Sequence, residues 1–261
     1  MPPFTSKVSK LIILKMLERA GFDDLIAEVE RPWRSKPYIF SVIFRGGKPL
    51  YKVSKEGELL SLKANEEYLF EVTVIGDLNA MKIVRSLTEV GEVEAFGGRI
   101  SILHIEAETK DFEELKVNIP VGYVKLEFIT PALLQLPLPM KLKEKIRVRH
   151  VLFPIPSLII YSLARHWNFF APEGKKIANM RSLSARSNFM LMEVDHNIKP
   201  VTVIYDERRR PRGITGWVLY KLHPISRKYV GTLLTLLNYS NYVGVGRSRT
   251  IGFGMTKVSF K

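Results

Sequence analysis

The sequence predicts an α+β fold of two tandem β-α-β-β-α-β units, the ferredoxin-like arrangement, with the first unit lacking its leading strand. Three observations carry this. Helical and strand periodicities succeed one another in the same order twice. The 261 residues suit two modest domains, each able to bury a core. The charge changes character where the order restarts: residues 1–118 hold 17 basic and 19 acidic side chains, residues 119–261 hold 23 and 7. The predicted domains are therefore 1–118 and 119–261. No residue-level repeat links them, so the tandem rests on element order.

In the first unit, "TSKVSKLIILKMLERAGFDD" offers Thr5 or Ser6 as a cap, apolar residues at Val8, Leu11, Ile12, Leu14 and Leu17, and Gly21 as a stop. That is an amphipathic helix. "KPYIFSVIF" is a β-branched and aromatic strand ending at the Gly46-Gly47 turn, and "EYLFEVTVI" is a second strand. "DLNAMKIVRSLTEVG" is a helix with an Asp cap and a Gly stop, and "EVEAFGGRISILHIEAE" returns as a hairpin or bulged strand. Short extra strands are expected at "PLYKVS" and "GELLSL". Only "MPPFT" precedes the first helix, so the sheet has an open slot. Either another segment fills it or the natural chain starts upstream.

In the second unit, "GYVKLEFITPALL" is a strand running into a proline-marked bend, and "PIPSLIIYSLARHWNFF" is a helix behind a proline. "SNFMLMEVD", "KPVTVIYD" and "GITGWVLYKL" read as three strands, the last two joined by the basic turn "ERRRPR". A helix over "PISRKYVGTLLTLLNYSNY" and a strand over "GFGMTKVSF" complete the unit.

With 40 Lys and Arg against 26 Asp and Glu, the net charge is +14, and its concentration in the second half favours a polyanionic partner. Zero cysteines excludes disulfides and thiolate zinc sites and fits a reducing cytoplasm. No run of apolar residues is long enough to span a membrane. No His or carboxylate spacing suggests a metal site, and no cofactor is expected.

The densest signal is "NYVGVGRSRTIGFGMTKVSF", with Gly244, Gly246, Gly252 and Gly254 around Arg247, Ser248 and Arg249. A dinucleotide fingerprint would need a third glycine where Arg249 stands, and a strand before the loop rather than a helix. A phosphate-binding G-K-[ST] is absent. The remaining reading is a backbone-close loop whose forked guanidinium donors meet an extended polyanion.

That loop resembles the C-terminal glycine-rich signature of the CRISPR-associated endoribonucleases that cut precursor CRISPR RNA within its repeats. These belong to the RAMP superfamily, whose tandem domains are RRM-like. The resemblance continues through "RGITGWVLYKL", "LEFITPALL", "PIPSLIIYSLARHWN", "SKVSK" and "KPYIFS". It implies an RNA-binding C-terminal domain, CRISPR repeat RNA as partner, and a metal-independent reaction. A ribose 2′-hydroxyl attacks the adjacent phosphorus, leaving a 5′-hydroxyl and a 2′,3′-cyclic phosphate. Association with an interference complex and homodimer formation are left open by the residues. A non-catalytic RAMP subunit that binds guide RNA fits the same fold and loop.

Many members of the family place a histidine near the first helix. Here no histidine precedes His104. The matching positions hold Lys7 and Lys10, one turn apart on a helix, with Lys36 and Tyr38 at the first strand. The resemblance makes these the candidate catalytic residues, with the lysines stabilising the phosphorane or moving protons. For RNA contact the candidates are Arg247, Ser248, Arg249 and Lys257, together with Arg208, Arg209 and Arg210 from "ERRRPR" and Arg147 and Arg149 from "KLKEKIRVRH". Tyr239, Tyr242 and Phe253 read as core aromatics before base-stacking ones. His104 reads as a core strand residue, His166 as a helix-end cation, and His150, His196 and His223 as loop or turn residues.

Overall fold

The computed structural model describes residues 1–32, 35–53, 60–137, 149–224 and 226–261. The chain forms two compact units. The N-terminal unit comprises Met1–Thr109, Ile204–Arg208 and Thr250–Gly252; the C-terminal unit comprises Lys110–Val203, Arg209–Arg249 and Phe253–Lys261.

The N-terminal unit opens with helix α1 (Ser6–Arg19), which buries Val8, Ile12, Ile13, Met16 and Leu17 on one face. Thr5 precedes it, yet its hydroxyl does not cap the helix. It donates to the Leu50 carbonyl at 2.5 Å and accepts from the Ile43 N–H at 2.8 Å, because Thr5 is wholly buried against that segment. Gly21, at φ +73°, ends the helix as expected. A short helix α2 (Asp23–Glu30) follows, where the sequence reading had none. Strand β1 (Tyr38–Phe40) leads to a hairpin of β2 (Phe44–Arg45) and β3 (Lys48–Pro49), and β4 (Val72–Val74) pairs antiparallel with β1. Helix α3 (Asp77–Val90) starts after Gly76 rather than behind an aspartate cap, and Gly91 ends it at φ +69°. The hairpin of β5 (Glu92–Ala95) and β6 (Gly98–Ser101) closes the unit. Ile13, Leu17, Leu25, Val29, Tyr38, Phe40 and Ile83 form one core cluster, so both helices of the first helical pair and α3 pack on β1.

Among the described residues no regular strand precedes α1; Phe4 makes a single antiparallel bridge with Tyr51. The backbone beside that bridge is completed by a distant segment. Lys52 N–H donates to the Pro3 carbonyl at 2.8 Å, and Ile204 N–H donates to the Lys52 carbonyl at 2.9 Å. The expected extra strand at "GELLSL" lies partly outside the described residues, and the rest of it is irregular.

In the C-terminal unit a four-stranded antiparallel sheet is built from β7 (Tyr123–Ala132), β10 (Leu191–Thr202), β11 (Arg212–Leu222) and β12 (Thr256–Phe260), in spatial order β10-β11-β7-β12. Numbered within the unit this is 2-3-1-4, the ferredoxin-like order, with α4 (Pro156–Phe170) and α6 (Arg227–Val243) as its two crossover helices. The short pair β8 (Leu134–Gln135) and β9 (His150–Val151) extends the connection after β7. Helix α5 (Met180–Met190) is an addition the sequence reading did not contain. The stretches "SNFMLMEVD" and "KPVTVIYD" contribute to one long strand, β10, rather than two. Its residues Met192–Asn197 are all exposed, so the hydrophobic alternation that marks a half-buried strand is lacking there.

Candidate active site and glycine-rich loop

In the N-terminal unit the three candidate lysines are half-buried. Lys7 and Lys10 stand one turn apart on α1. Lys36 reaches back to the C-terminal end of α2, where its Nζ donates to the Val29 carbonyl at 3.1 Å. A helix C-terminus suits a cation. Glu30, the last residue of α2, lies 3.8 Å from the Lys10 ammonium. Lys10, Lys36 and Glu30 thus form one charge cluster. Burial pulls the Lys36 pKa below the ordinary lysine value, the neighbouring Lys10 pulls it further, and Glu30 opposes both. The unpredicted α2 supplies two of these contacts. Its signal lay in the apolar positions Leu25, Ile26 and Val29 behind an acidic first turn, Asp23-Asp24.

Tyr38 does not join the lysines. Its ring is fully buried in the core. Its hydroxyl accepts from Asn79 Nδ2 at 2.7 Å, and the same amide donates to Glu28 at 3.0 Å. Burial first, and Glu28 second, push the phenol's ionisation far up. The expectation of Tyr38 at a reacting phosphate is corrected on that ground. Tyr205, which sequence reasoning did not single out, does stand at the lysines: the Lys7 Nζ lies 4.3 Å from its ring centroid.

The C-terminal unit presents a second basic region. Arg247 is exposed, and its guanidinium donates to Gln135 Oε1 at 2.5 Å while its backbone N–H donates to the Leu133 carbonyl at 3.0 Å. Gln135 pairs with His150, whose Nδ1 lies 3.1 Å from the Arg212 carbonyl. Burial and the Arg247 charge keep His150 below the usual imidazole pKa. Arg149 is exposed beside it, Lys257 is exposed on β12, and Ser248 is exposed at φ +61°. Arg209 and Arg210 are exposed on the β10–β11 connection. Arg208, also exposed, belongs to the N-terminal unit's segment. Arg147 lies outside the described residues.

Arg249 is placed differently from Arg247. It is only 9 % exposed, and its guanidinium donates inward to the carbonyls of Gly246 at 3.1 Å, Ser162 at 2.9 Å and Gly244 at 3.5 Å. Burial lowers its pKa to about 10, so it remains a cation at neutral pH. Its donors are spent on backbone carbonyls of the loop and of α4, which corrects the expectation that it faces a phosphate. Beside it, His166 shares a 2.8 Å hydrogen bond with the Tyr239 hydroxyl. Burial and the Arg249 charge push His166 down to about 2, so it is a neutral core residue and not a helix-end cation. His104, by contrast, is exposed, because β6 ends before it. His196 lies on β10 rather than in a turn.

The loop's glycines have a packing cause. A Cβ on Gly254, at φ +67°, would lie 2.0 Å from the Val245 carbonyl oxygen. In the N-terminal unit, a Cβ on Gly252, at φ +81°, would meet the Phe40 carbonyl oxygen and Ser6 Cβ at 3.0 Å each. Ser6 Oγ also donates to the Ile251 carbonyl at 2.7 Å, so this segment is seated on the start of the lysine-bearing helix. Gly254→Ala is expected to cost roughly 3 kcal/mol or more of unfolding free energy, from a left-handed alanine and a backbone clash together. A denaturant midpoint unchanged from that of the natural chain would contradict this.

Among the described residues no group of three or more His, Asp or Glu is placed to share a cation, and no helix is long and apolar enough to cross a membrane. Residues 126–256 match the family described as CRISPR-associated endoribonuclease Cas6, and residues 1–110 match the Cas6 N-terminal domain. The chain is 24% identical over 279 residues to CRISPR-associated endoribonuclease Cas6 2 of Saccharolobus solfataricus, covering 100% of this chain and 91% of that one. It is 25% identical over 276 residues to Cas6 1 of the same organism, with the same coverage. The structure resembles that of a Thermus thermophilus Cas6 product complex, with a TM-score of 0.72 at 20% identity over 99% of this chain and 95% of that one. At that identity the likeness speaks to the fold alone.

Proposed function

We propose, from the premise that this chain belongs to the CRISPR-associated endoribonuclease Cas6 family, that it cleaves precursor CRISPR RNA within its repeats by 2′-hydroxyl attack. The observation that carries the chemical part is the Lys10–Lys36–Glu30 cluster beside Lys7. In the reaction the 2′-oxygen bonds to the adjacent phosphorus as the P–O5′ bond breaks. The 2′-hydroxyl gives up a proton, and the leaving 5′-oxygen takes one from solvent water. Lys36, with its depressed pKa, accepts the first proton. Lys7 and Lys10 hold their charge against the oxygens of the phosphorane, where preorganised cations act on charge that develops only in the transition state. The exposed cations around Arg247 and Arg149 hold the RNA backbone, and no metal ion takes part.

The test is incubation of the purified full chain with the host's repeat RNA in EDTA. A single cut leaving a cyclic phosphate and a 5′-hydroxyl is expected. RNA that is bound but left whole would replace this reading with a guide-RNA-binding subunit.

The role of Lys36 gives a signed pH dependence. A base works only when neutral, so the cleavage rate should rise with pH through a limb lying below the ordinary lysine value of 10.5. Lys10→Ala removes a charge that lowers that pKa, and the limb should move to higher pH. Glu30→Gln removes one that raises it, and the limb should move lower. Limbs that stay fixed in both variants would take Lys36 out of the proton transfer.

A further inference from the structure

Among the described residues, Lys7 is the one lysine of the three seen over an aromatic ring. Its ammonium lies 4.3 Å from the Tyr205 centroid, well inside the distance of about 6 Å at which a cation feels a ring's negative face. Tyr205 arrives from the far end of β10, in the short segment Ile204–Arg208 that joins the N-terminal unit. The ring is fixed there from several sides. It is 8 % exposed, and its centroid lies 5.8 Å from that of Phe4, itself fully buried and 5.8 Å from Tyr51. Its backbone neighbour Ile204 is tied to the Lys52 carbonyl at 2.9 Å, and Lys52 is tied to Pro3 at 2.8 Å. Among the described residues Lys7 makes no ion pair with a carboxylate.

We propose that Tyr205 is a positioning residue for Lys7, holding the ammonium by its ring face where it meets the reacting phosphate. The inference rests on the catalytic reading of Lys7 given above. The chemistry explains why a ring serves better here than an acid. A carboxylate would orient the ammonium but cancel its field at the phosphorane. An aromatic quadrupole orients it and leaves the full positive charge available to the developing oxygens. A lysine side chain otherwise has many rotamers to lose on meeting its target, and the ring removes part of that loss beforehand.

The experiment is single-turnover cleavage of the host's repeat RNA by the full chain, with binding measured separately on the 2′-deoxy form of the same RNA. Tyr205→Leu keeps bulk and removes the ring face. It should slow cleavage about tenfold and leave the dissociation constant within about twofold. Tyr205→Phe keeps the face and should cleave at close to the natural rate. In a Lys7→Ala background, Tyr205→Leu should produce no further slowing. Should Tyr205→Leu not fold, Phe and progressively fluorinated Phe at position 205 replace it. The rate should then fall with fluorination when Lys7 is present and stay flat when it is Ala.

Equal slowing in both backgrounds would make Tyr205 merely structural and overturn the proposal. So would a Tyr205→Phe variant as slow as Tyr205→Leu, or a loss confined to binding. If Lys7→Ala slows cleavage and Tyr205→Leu does not, this inference alone falls. If Lys7→Ala cleaves normally, the catalytic reading of Lys7 falls and takes it along.

Discussion

Alanine in place of Lys36 is expected to slow single-turnover cleavage of repeat RNA by roughly 10²–10³, within the usual worth of a positioned general base. Lys7→Ala and Lys10→Ala are expected to lie in the same range, because each removes a preorganised cation from the developing phosphorane. Binding should change by no more than a few-fold in each. The positive charge that holds an extended polyanion is concentrated elsewhere, with 23 basic against 7 acidic residues in 119–261. A single 2′-deoxy substitution at the scissile nucleotide should abolish cutting and spare binding, since it removes the nucleophile and no phosphate. His→Ala variants that stop the reaction while all three lysine variants cut normally would refute the mechanism, and so would inhibition by EDTA.

The affinity for repeat RNA is expected to fall by about 10³–10⁵ between roughly 50 and 200 mM salt, if some 6–10 phosphates are engaged and their counterions released. Arg247→Glu should weaken binding at every salt concentration and reduce the slope. Arg249→Glu tests something else. Its guanidinium is buried on three carbonyls of the loop and of α4, so a carboxylate there would face oxygens with no donor. Roughly 3–5 kcal/mol of stability should be lost, read in the melting transition before any RNA is added. A flat salt response, or an Arg249→Glu protein as stable as the natural chain, would refute the respective argument.

The difference between those two arginines shows how far the sequence could be read. The strands of the C-terminal sheet and the helices α4 and α6 are legible because their buried positions recur at the right period. Strand β10 is legible only in pieces, since exposure through Met192–Asn197 leaves no pattern to follow. Helix α5 is hidden because two of the four residues it buries are serines, Ser184 and Ser187. The four loop glycines stand out by composition. What each is for depends on which carbonyl lies opposite, and that is tertiary information. The lysines could be nominated by resemblance, but the Lys36–Val29 contact needs α2, and no local pattern sets Tyr205 on Lys7. The burial of Tyr38 and Arg249 is illegible in the sequence for one reason: a polar tip on a strand or loop reads as available until its partners are seen.

The seating of Ile251 on Ser6 bears on how the protein comes into being. That hydrogen bond joins residues 245 positions apart, and Thr250–Gly252 complete the unit in which α1 lies. Translation delivers α1 first and Ile251 only 245 residues later. Domains made first generally fold first, but this one must wait for that distant segment. Until it arrives the N-terminal unit is unfinished, and contacts of such long sequence separation slow the closing step. A fragment cut at Thr109 would keep the three lysines and lack both Tyr205 and the Ile251 carbonyl. The surroundings of the three lysines are thus put together from segments made far apart in time, and they are complete only once Ile251 has been added.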